Sequence, residues 1–192
     1  MKIEYEATFV NIDKEGMRER LKLAEAKLVK PEFMQKRVNF HFPTGHEVRE
    51  GWIRVRDEGD KITMSIKVIN GNKIEDQKET CLIVDNFNEA ITYLATLGCV
   101  QKAYQETKRE LWIVDDVEVT IDEWPFLEPY VEVEGKSEEE VRQAAEKIGF
   151  NWSEAKFCGV TTLYSEKYKI HADVFNNHTP KIIFEMPNPF VK

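Results

Sequence analysis

The sequence predicts an α+β protein in which about eight antiparallel strands close into a barrel flanked by helices. Three observations predict it. Short segments alternating apolar and polar residues recur along the chain, the period-2 signature of strands with two different faces. Helix caps and stop signals fall between groups of these segments rather than inside them. The polar face of most strands carries charge of one sign, and a closed barrel would gather those faces into one interior.

The elements follow in order. Ile3, Tyr5, Ala7 and Phe9 alternate with Glu4, Glu6 and Thr8, which makes Lys2 to Val10 a strand. Asp13 has the chemistry of an N-cap. Met17, Leu21, Leu23, Ala24 and Leu28 recur at roughly helical spacing, so a helix runs from about Asp13 to Ala26, with Pro31 as its stop. Arg37 to Phe42 is a second strand, followed by a Pro43-Thr44-Gly45 turn. Gly51 to Asp57 and Lys61 to Ile69 form a hairpin about Glu58-Gly59-Asp60. Gly71-Asn72 marks a loop, and Glu79 to Val84 a short strand. Asn86 caps a helix bearing Phe87, Ile91, Leu94 and Leu97, which Gly98 ends.

Val100 to Val114 and Val117 to Asp122 alternate again about an Asp115-Asp116 turn. Pro125 to Pro129 is a loop and Tyr130 to Glu134 a strand. Ser137 and Glu140 form a capping box for a helix through about Lys147, closed by Gly149. A last helix covers Val160 to Tyr168. His171 to Lys192, with its Asn, His and Pro residues, reads as a loosely packed tail, so residues 1–170 form the domain and 171–192 an appendage.

Composition narrows the function classes. With 42% hydrophobic and 32% charged residues the chain is neither disordered nor a membrane protein. The start MKIEYEATF lacks the apolar core of a signal peptide, so a soluble cytoplasmic protein is expected. Cys81, Cys99 and Cys158 show no metal-ligand spacing and are expected reduced and mostly buried. A net charge of −8 gives no global basic footprint for nucleic acid. His41, His46, His171 and His178 are scattered, and surface or turn roles suit them. No Gly-rich phosphate loop or nucleophile signature occurs. Trp52, Trp112, Trp124 and Trp152 suit the core or its rim, with Trp52 sharing the face of Arg54.

Residues two apart on a strand share a face. Glu4 and Glu6 therefore point one way, as do Arg54 and Arg56, Ser65 and Lys67, Thr107 and Arg109, Glu118 with Thr120 and Asp122, and Glu132 with Glu134. For one strand a solvated outer face explains this. Whole strands segregated by sign argue instead for an interior with carboxylates on one side and cations on the other. Such an interior suits a ligand that is itself charged. Carboxylates ligate Mg²⁺ or Mn²⁺, and arginine and lysine bind phosphate oxygens.

These pieces resemble the CYTH (triphosphate tunnel metalloenzyme) family. EYEAT at Glu4 to Thr8 is similar to its ExExK opening, and RVR at Arg54–Arg56, the strand ending at Lys67, Lys78-Glu79, KREL at Lys108–Leu111, Ile121-Asp122 and EVEG at Glu132–Gly135 follow in family order. The likeness covers roughly Lys2 to Phe150 and looks closest to the class IV adenylate cyclase branch. It implies an eight-stranded tunnel that binds a triphosphate with Mg²⁺ or Mn²⁺. Glu4, Glu6, Glu132 and Glu134, with Glu118 and Asp122, become metal ligands; Arg37, Arg54, Arg56, Lys67 and Arg109 become triphosphate binders. The family's lysine is Thr8 here, which removes one cation that Lys36 or Lys73 would have to replace.

The resulting expectation is a metal-dependent enzyme converting ATP to cyclic AMP and pyrophosphate. Two alternatives stand beside it: hydrolysis of thiamine triphosphate, a nucleoside triphosphate or inorganic tripolyphosphate, and triphosphate binding without turnover. No catalytic residue is singled out, no nucleic-acid or membrane partner is expected, and a homodimer is left open.

Overall fold

The computed structural model describes residues 1–48, 51–69 and 76–191. Its elements are β1 (Lys2–Ile3), β2 (Tyr5–Phe9), α1 (Lys14–Leu23), β3 (Lys27–His41), β4 (Gly51–Asp57), β5 (Ile62–Ile69), β6 (Gln77–Val84), α2 (Phe87–Thr96), β7 (Val100–Val114), β8 (Val117–Glu123), β9 (Tyr130–Gly135), α3 (Glu138–Lys147), a 3₁₀ turn (Trp152–Glu154), α4 (Val160–Tyr168), α5 (Ala172–Asn177) and β10 (Lys181–Ile182). The expected helix caps form. Asp13 accepts from Gly16 N, Asn86 from Asn88 N and Glu89 N, and Ser137 from Glu140 N. No helix among the described residues is long and apolar enough to cross a membrane.

The strands form one curled sheet in the order β1-β6-β5-β4-β3-β7-β8-β9-β2, antiparallel throughout, with β10 parallel to β7. β1 and β2 are one chain segment broken at Glu4, so the sheet has eight principal strands. The expected closed barrel becomes a curled, partly open one. β2 pairs along its length with β9, but among the described residues the backbone bridges the opposite seam only where Lys2 and Ile3 meet Glu79 and Lys78 and Glu4 N donates to Gln77 O. The N-terminal segment is too short to zip both edges.

Apolar residues on the outer face hold the helices. Ala7, Phe9, Val119, Ile121, Val131 and Val133 pack with Met17 and Leu21 of α1 and Val141, Ala144 and Ala145 of α3. Val38, Phe40, Ile53 and Val55 pack with Ala90 and Leu94 of α2. A third cluster joins Trp124 and Tyr130 to Leu163, Tyr164, Phe175 and Ile182. With α1, α2 and α3 outside, the polar residues of the strands are left facing inward, and the third cluster sets α4 and α5 at the cavity.

Three further sequence expectations change, and one lies outside the described residues. Pro31 stops no helix: α1 ends before it, and Pro31 lies within the 15-residue β3, where register shifts between Lys30 and Phe33 absorb its missing N–H. Cys81 is exposed rather than buried, while Cys99 is buried. The Gly71-Asn72 loop and Lys73 lie outside the described residues. The segment 171–192 is not loosely packed: Phe175 is 3% and Ile182 0% exposed. Its β10 covers the edge that β7 leaves bare beyond β8, pairing Lys181 with Tyr104 and Ile182 with Gln105.

If Ile182 is a core residue, Ile182→Ala should destabilise the fold by about 2–4 kcal/mol in urea denaturation. A change below about 0.5 kcal/mol, the size expected of a surface substitution, would return the segment to an unanchored tail.

Candidate functional site

Curling of the sheet encloses a cavity of about 640 Å³. Glu4, Glu6, Glu118, Glu132 and Glu134 lie on its wall, as do Arg37, Arg54, Arg56, Lys67 and Arg109. The structure thus brings ten of the eleven site residues expected from the sequence to one space. The exception is Asp122, fully buried behind the wall. Its two carboxylate oxygens accept from Arg109 Nε and Nη2, each at 2.7 Å, and Thr120 Oγ1 donates to it at 2.7 Å. Committed in this way, Asp122 orients Arg109 instead of standing free as a metal ligand.

Local sequence explains how each wall is made. In β4, Ile53 and Val55 anchor the strand under α2, which turns Trp52, Arg54 and Arg56 inward. Opposite them on β5, Ser65 pairs with Arg54 and Lys67 with Trp52. Gly51 allows the close approach of this hairpin, because a Cβ there would meet the Lys67 carbonyl oxygen at 2.4 Å. In β8 and β9 the outward residues Val119, Ile121, Val131 and Val133 are at most 2% exposed, so Glu118, Glu132 and Glu134 face inward. Register places Glu6, Glu134 and Glu118 side by side across three strands.

The cationic wall is incompletely satisfied. Arg37, 5% exposed, donates through Nη2 to Gln35 Oε1 at 2.8 Å and to Thr107 Oγ1, and it stands 4.8 Å over the Trp124 ring. Arg54 Nη2 donates to Glu79 Oε1 at 3.0 Å, and Arg56 Nη2 lies 2.7 Å from Glu58 Oε1. The Nε–H of each of these three arginines is buried with no acceptor. Burial, and then the charges of Arg56, Arg54 and Arg109, hold the Arg37 guanidinium well below its usual range; burial with Arg54 and Arg109 brings Arg56 down to about 10. Three donors crowded in low dielectric favour an anion.

The carboxylate wall is strained in the opposite sense. Burial, followed by Glu6 and Asp122, pushes Glu132 well above the carboxylate range, although Arg109 Nη2 donates to it at 2.6 Å. Burial with Glu6 and Glu118 raises Glu134 to about 7. Burial and a shared hydrogen bond with Glu79 raise Glu4 to about 8, although Lys67 Nζ lies 2.7 Å from it. Glu79 goes down to about 2, its burial outweighed by the hydrogen bond from Glu4 and the charge of Arg54.

A divalent cation was expected among these carboxylates. Among the described residues no three His, Cys, Asp or Glu side chains already stand together as a metal site. The donor chemistry nevertheless fits, because Glu6, Glu132 and Glu134 oppose one another in a buried space where a hard cation relieves their repulsion.

The sequence reading missed part of the wall. Glu79, Asn39, His41, Gln105 and Lys102 line it, as do Gly159 to Thr162 and Phe175 to Asn177 from the C-terminal region. Extending the alternation of β3 from Arg37 would have found Asn39 and His41; nothing in the sequence signalled the C-terminal contribution. Thr8 departs in the other direction. It is 2% exposed and off the wall, crossed by the backbone of Lys156, with Thr8 N to Lys156 O and Lys156 N to Thr8 O both at 2.9 Å. Lys36 is exposed and replaces nothing in the cavity.

A family profile for the CYTH domain matches residues 2–161. No curated protein matches the sequence. Among solved structures, a conserved hypothetical protein of Pyrococcus furiosus is similar at 20% identity, with 81% of this chain and 96% of that chain covered and a TM-score of 0.68. A Vibrio parahaemolyticus protein proposed to be an adenylate cyclase aligns at 11% identity, 85% and 98% coverage and a TM-score of 0.71. An adenylyl cyclase candidate of Hippeastrum with dominant triphosphatase activity aligns at 11% identity, 89% and 97% coverage and a TM-score of 0.56. At these identities the likeness is one of fold.

Two measurements follow from this geometry. A lysine at position 8, where Thr8 is 2% exposed, would have to bury its charge, so Thr8→Lys should cost more than about 2 kcal/mol of stability. Unchanged stability with tighter triphosphate binding would put residue 8 back on the wall. The raised carboxyls bind protons in the folded chain that the unfolded chain, near 4.5, has lost. Stability present below pH 4.5 should therefore fall as pH rises through about 7 for Glu134 and about 8 for Glu4. In metal-free buffer Glu134→Gln should raise Tm at pH 8 and leave it nearly unchanged at pH 4; equal shifts at both would exclude the titration.

Proposed function

The chain belongs to the CYTH domain family, and on that footing we propose that it is a metal-dependent enzyme acting on a triphosphate held in the cavity of its curled sheet. The observation that carries this reading is the division of the cavity. Arg37, Arg54 and Arg56, each with a buried Nε–H that has no acceptor, line the same space as the carboxyls of Glu132 and Glu134, raised by burial and then by their acidic neighbours. A metal-bound polyphosphate satisfies both.

In this reading Arg37, Arg54, Arg56, Lys67 and Arg109 hold the phosphate oxygens. Glu4, Glu6, Glu132 and Glu134, flanked by Glu118, hold Mg²⁺ or Mn²⁺. The ion, when bound, neutralises phosphoryl charge and polarises the group under attack. The protein's own part is positioning and charge complementarity. Asp122 takes the Nε–Nη2 fork of Arg109 and so fixes the guanidinium on the cavity wall, and Glu79 gives up Arg54 to an incoming phosphate. Tripolyphosphate chains run along such a wall without covalent help from the protein, so no nucleophilic side chain is needed.

The reaction we assign is that of the class IV adenylate cyclase branch, in the cytoplasm: the ribose 3′-oxygen of ATP attacks the α-phosphorus, loses its proton to solvent or base, and expels pyrophosphate. A cavity of about 640 Å³ is large enough for a nucleoside as well as its phosphates. Hydrolysis is the second reading, with water attacking the γ-phosphorus and releasing orthophosphate. It is favoured by the partly open seam, through which water reaches the phosphates, and the names of the fold neighbours span both reactions.

Incubation with Mn²⁺ or Mg²⁺ and, separately, ATP, thiamine triphosphate and tripolyphosphate separates these readings by product. Cyclic AMP with pyrophosphate supports the cyclase, orthophosphate the hydrolase, and tight binding with no product a protein that only binds. Arg54→Ala should weaken triphosphate binding by roughly ten- to a hundredfold, the worth of one charge-assisted contact. No binding of any triphosphate by the wild type would end the proposal.

A further inference from the structure

The start of α4 opens into the same cavity. Gly159, Val160, Thr161 and Thr162 all lie on its wall. Gly159 occupies the N-cap in an extended conformation (φ −79°, ψ 167°), and no side chain caps the first turn. A helix start left uncapped presents unsatisfied N–H donors and the positive end of the helix dipole. Every other long helix here spends a side chain on that position: Asp13, Asn86 and Ser137.

A second observation from a different element points to the same kind of ligand. Leu163 and Tyr164 hold α4 against Trp124, with the Tyr164 ring edge-on at 6.4 Å and its hydroxyl donating to Pro125 O at 2.5 Å. The same Trp124 ring also carries Arg37, whose guanidinium stands 4.8 Å over it and whose buried Nε–H has no acceptor. Helix start and guanidinium are thus fixed on one aromatic ring and line one space. The cavity residues that follow α4, Phe175, Asn176 and Asn177, bring no negative charge, and Asn176 Oδ1 is already taken by Lys102 Nζ at 2.9 Å and Thr161 Oγ1 at 3.2 Å.

We propose that the N-terminus of α4 and Arg37 together form an anion subsite for one phosphoryl group of the polyphosphate, apart from the carboxylate wall. This rests on the reading of the cavity as a triphosphate site and extends it, since the phosphate grip then comes from a C-terminal helix as well as from strands. The subsite binds through backbone N–H groups, which recognise a phosphoryl group whatever it is attached to.

Gly159 is the place to test it. A Cβ there meets no atom within 4 Å, and its φ suits any residue. Gly159→Asp installs a good N-cap, so it should hold or raise Tm. It also occupies the free N–H groups and adds negative charge, so tripolyphosphate affinity by calorimetry should fall by about tenfold or more, while Gly159→Ser, a neutral cap, loses about threefold. In the wild type, the amide proton resonances of Val160 and Thr161 should move downfield as tripolyphosphate is added. If Gly159→Asp does not fold, the serine variant and the resonances carry the test. Wild-type binding that Arg54→Ala weakens but Gly159→Asp leaves unchanged, with unmoved resonances, overturns the subsite alone. Absence of wild-type binding overturns the triphosphate reading and the subsite with it.

Discussion

Enclosure of charge of both signs in one space is the constraint on which the rest of this structure depends. Six carboxylates (Glu4, Glu6, Glu79, Glu118, Glu132, Glu134) and six cations (Arg37, Arg54, Arg56, Lys67, Lys102, Arg109) share the cavity wall. Desolvation penalises each of them, and pairing recovers only part of the loss. Arg109, forked on Asp122 and bonded to Glu132, is the best-compensated member, held charged far above its usual range despite burial. Arg37 is the least compensated, with no carboxylate among its hydrogen-bond partners. A sheet whose inner face is so costly must be held by its outer face. That is where two of the apolar clusters lie with α1, α2 and α3, while α4, α5 and the third cluster stand at the cavity itself.

Much of this was legible in the sequence because a strand exposes its own logic. Period-2 alternation located the strands and, with them, the inward direction of Arg54, Lys67, Arg109 and Glu132. Caps located α1, α2 and α3 because Asp13, Asn86 and Ser137 bond their own helices within a few residues. What could not be read depends on contacts between distant segments. Asp122 and Glu118 share a strand face, but only the partner strand decides that one is locked on Arg109 and the other reaches the cavity. Thr8 alternates in phase with Glu4 and Glu6, yet it is buried off the wall, on a strand edge that Lys156 bridges from about 150 residues away in the chain. Closure of the barrel failed for a local reason that alternation does not encode, the brevity of the pairing at Lys2 and Ile3. The C-terminal segment was misjudged because composition says nothing of the bare β7 edge that its two-residue strand covers.

Taken with the family membership, the geometry places the selection of ligand in electrostatics rather than in shape. A neutral molecule of the same volume leaves both walls unsatisfied, and a bare anion or a bare cation satisfies one of them. In the proposed reading a ligand carrying polyphosphate and divalent cation together relieves the two at once, which makes binding of each component dependent on the other. In the same reading Glu79, which accepts from Arg54 Nη2 at 3.0 Å, is the acceptor that a phosphate oxygen displaces.

The most direct test of this account is anomalous diffraction from crystals grown with Mn²⁺ and tripolyphosphate. The account predicts a manganese peak among Glu4, Glu6, Glu132 and Glu134, with phosphate density running from it toward Arg54, Arg56 and Arg37. Manganese bound elsewhere on the protein, with the cavity free of phosphate, would contradict it.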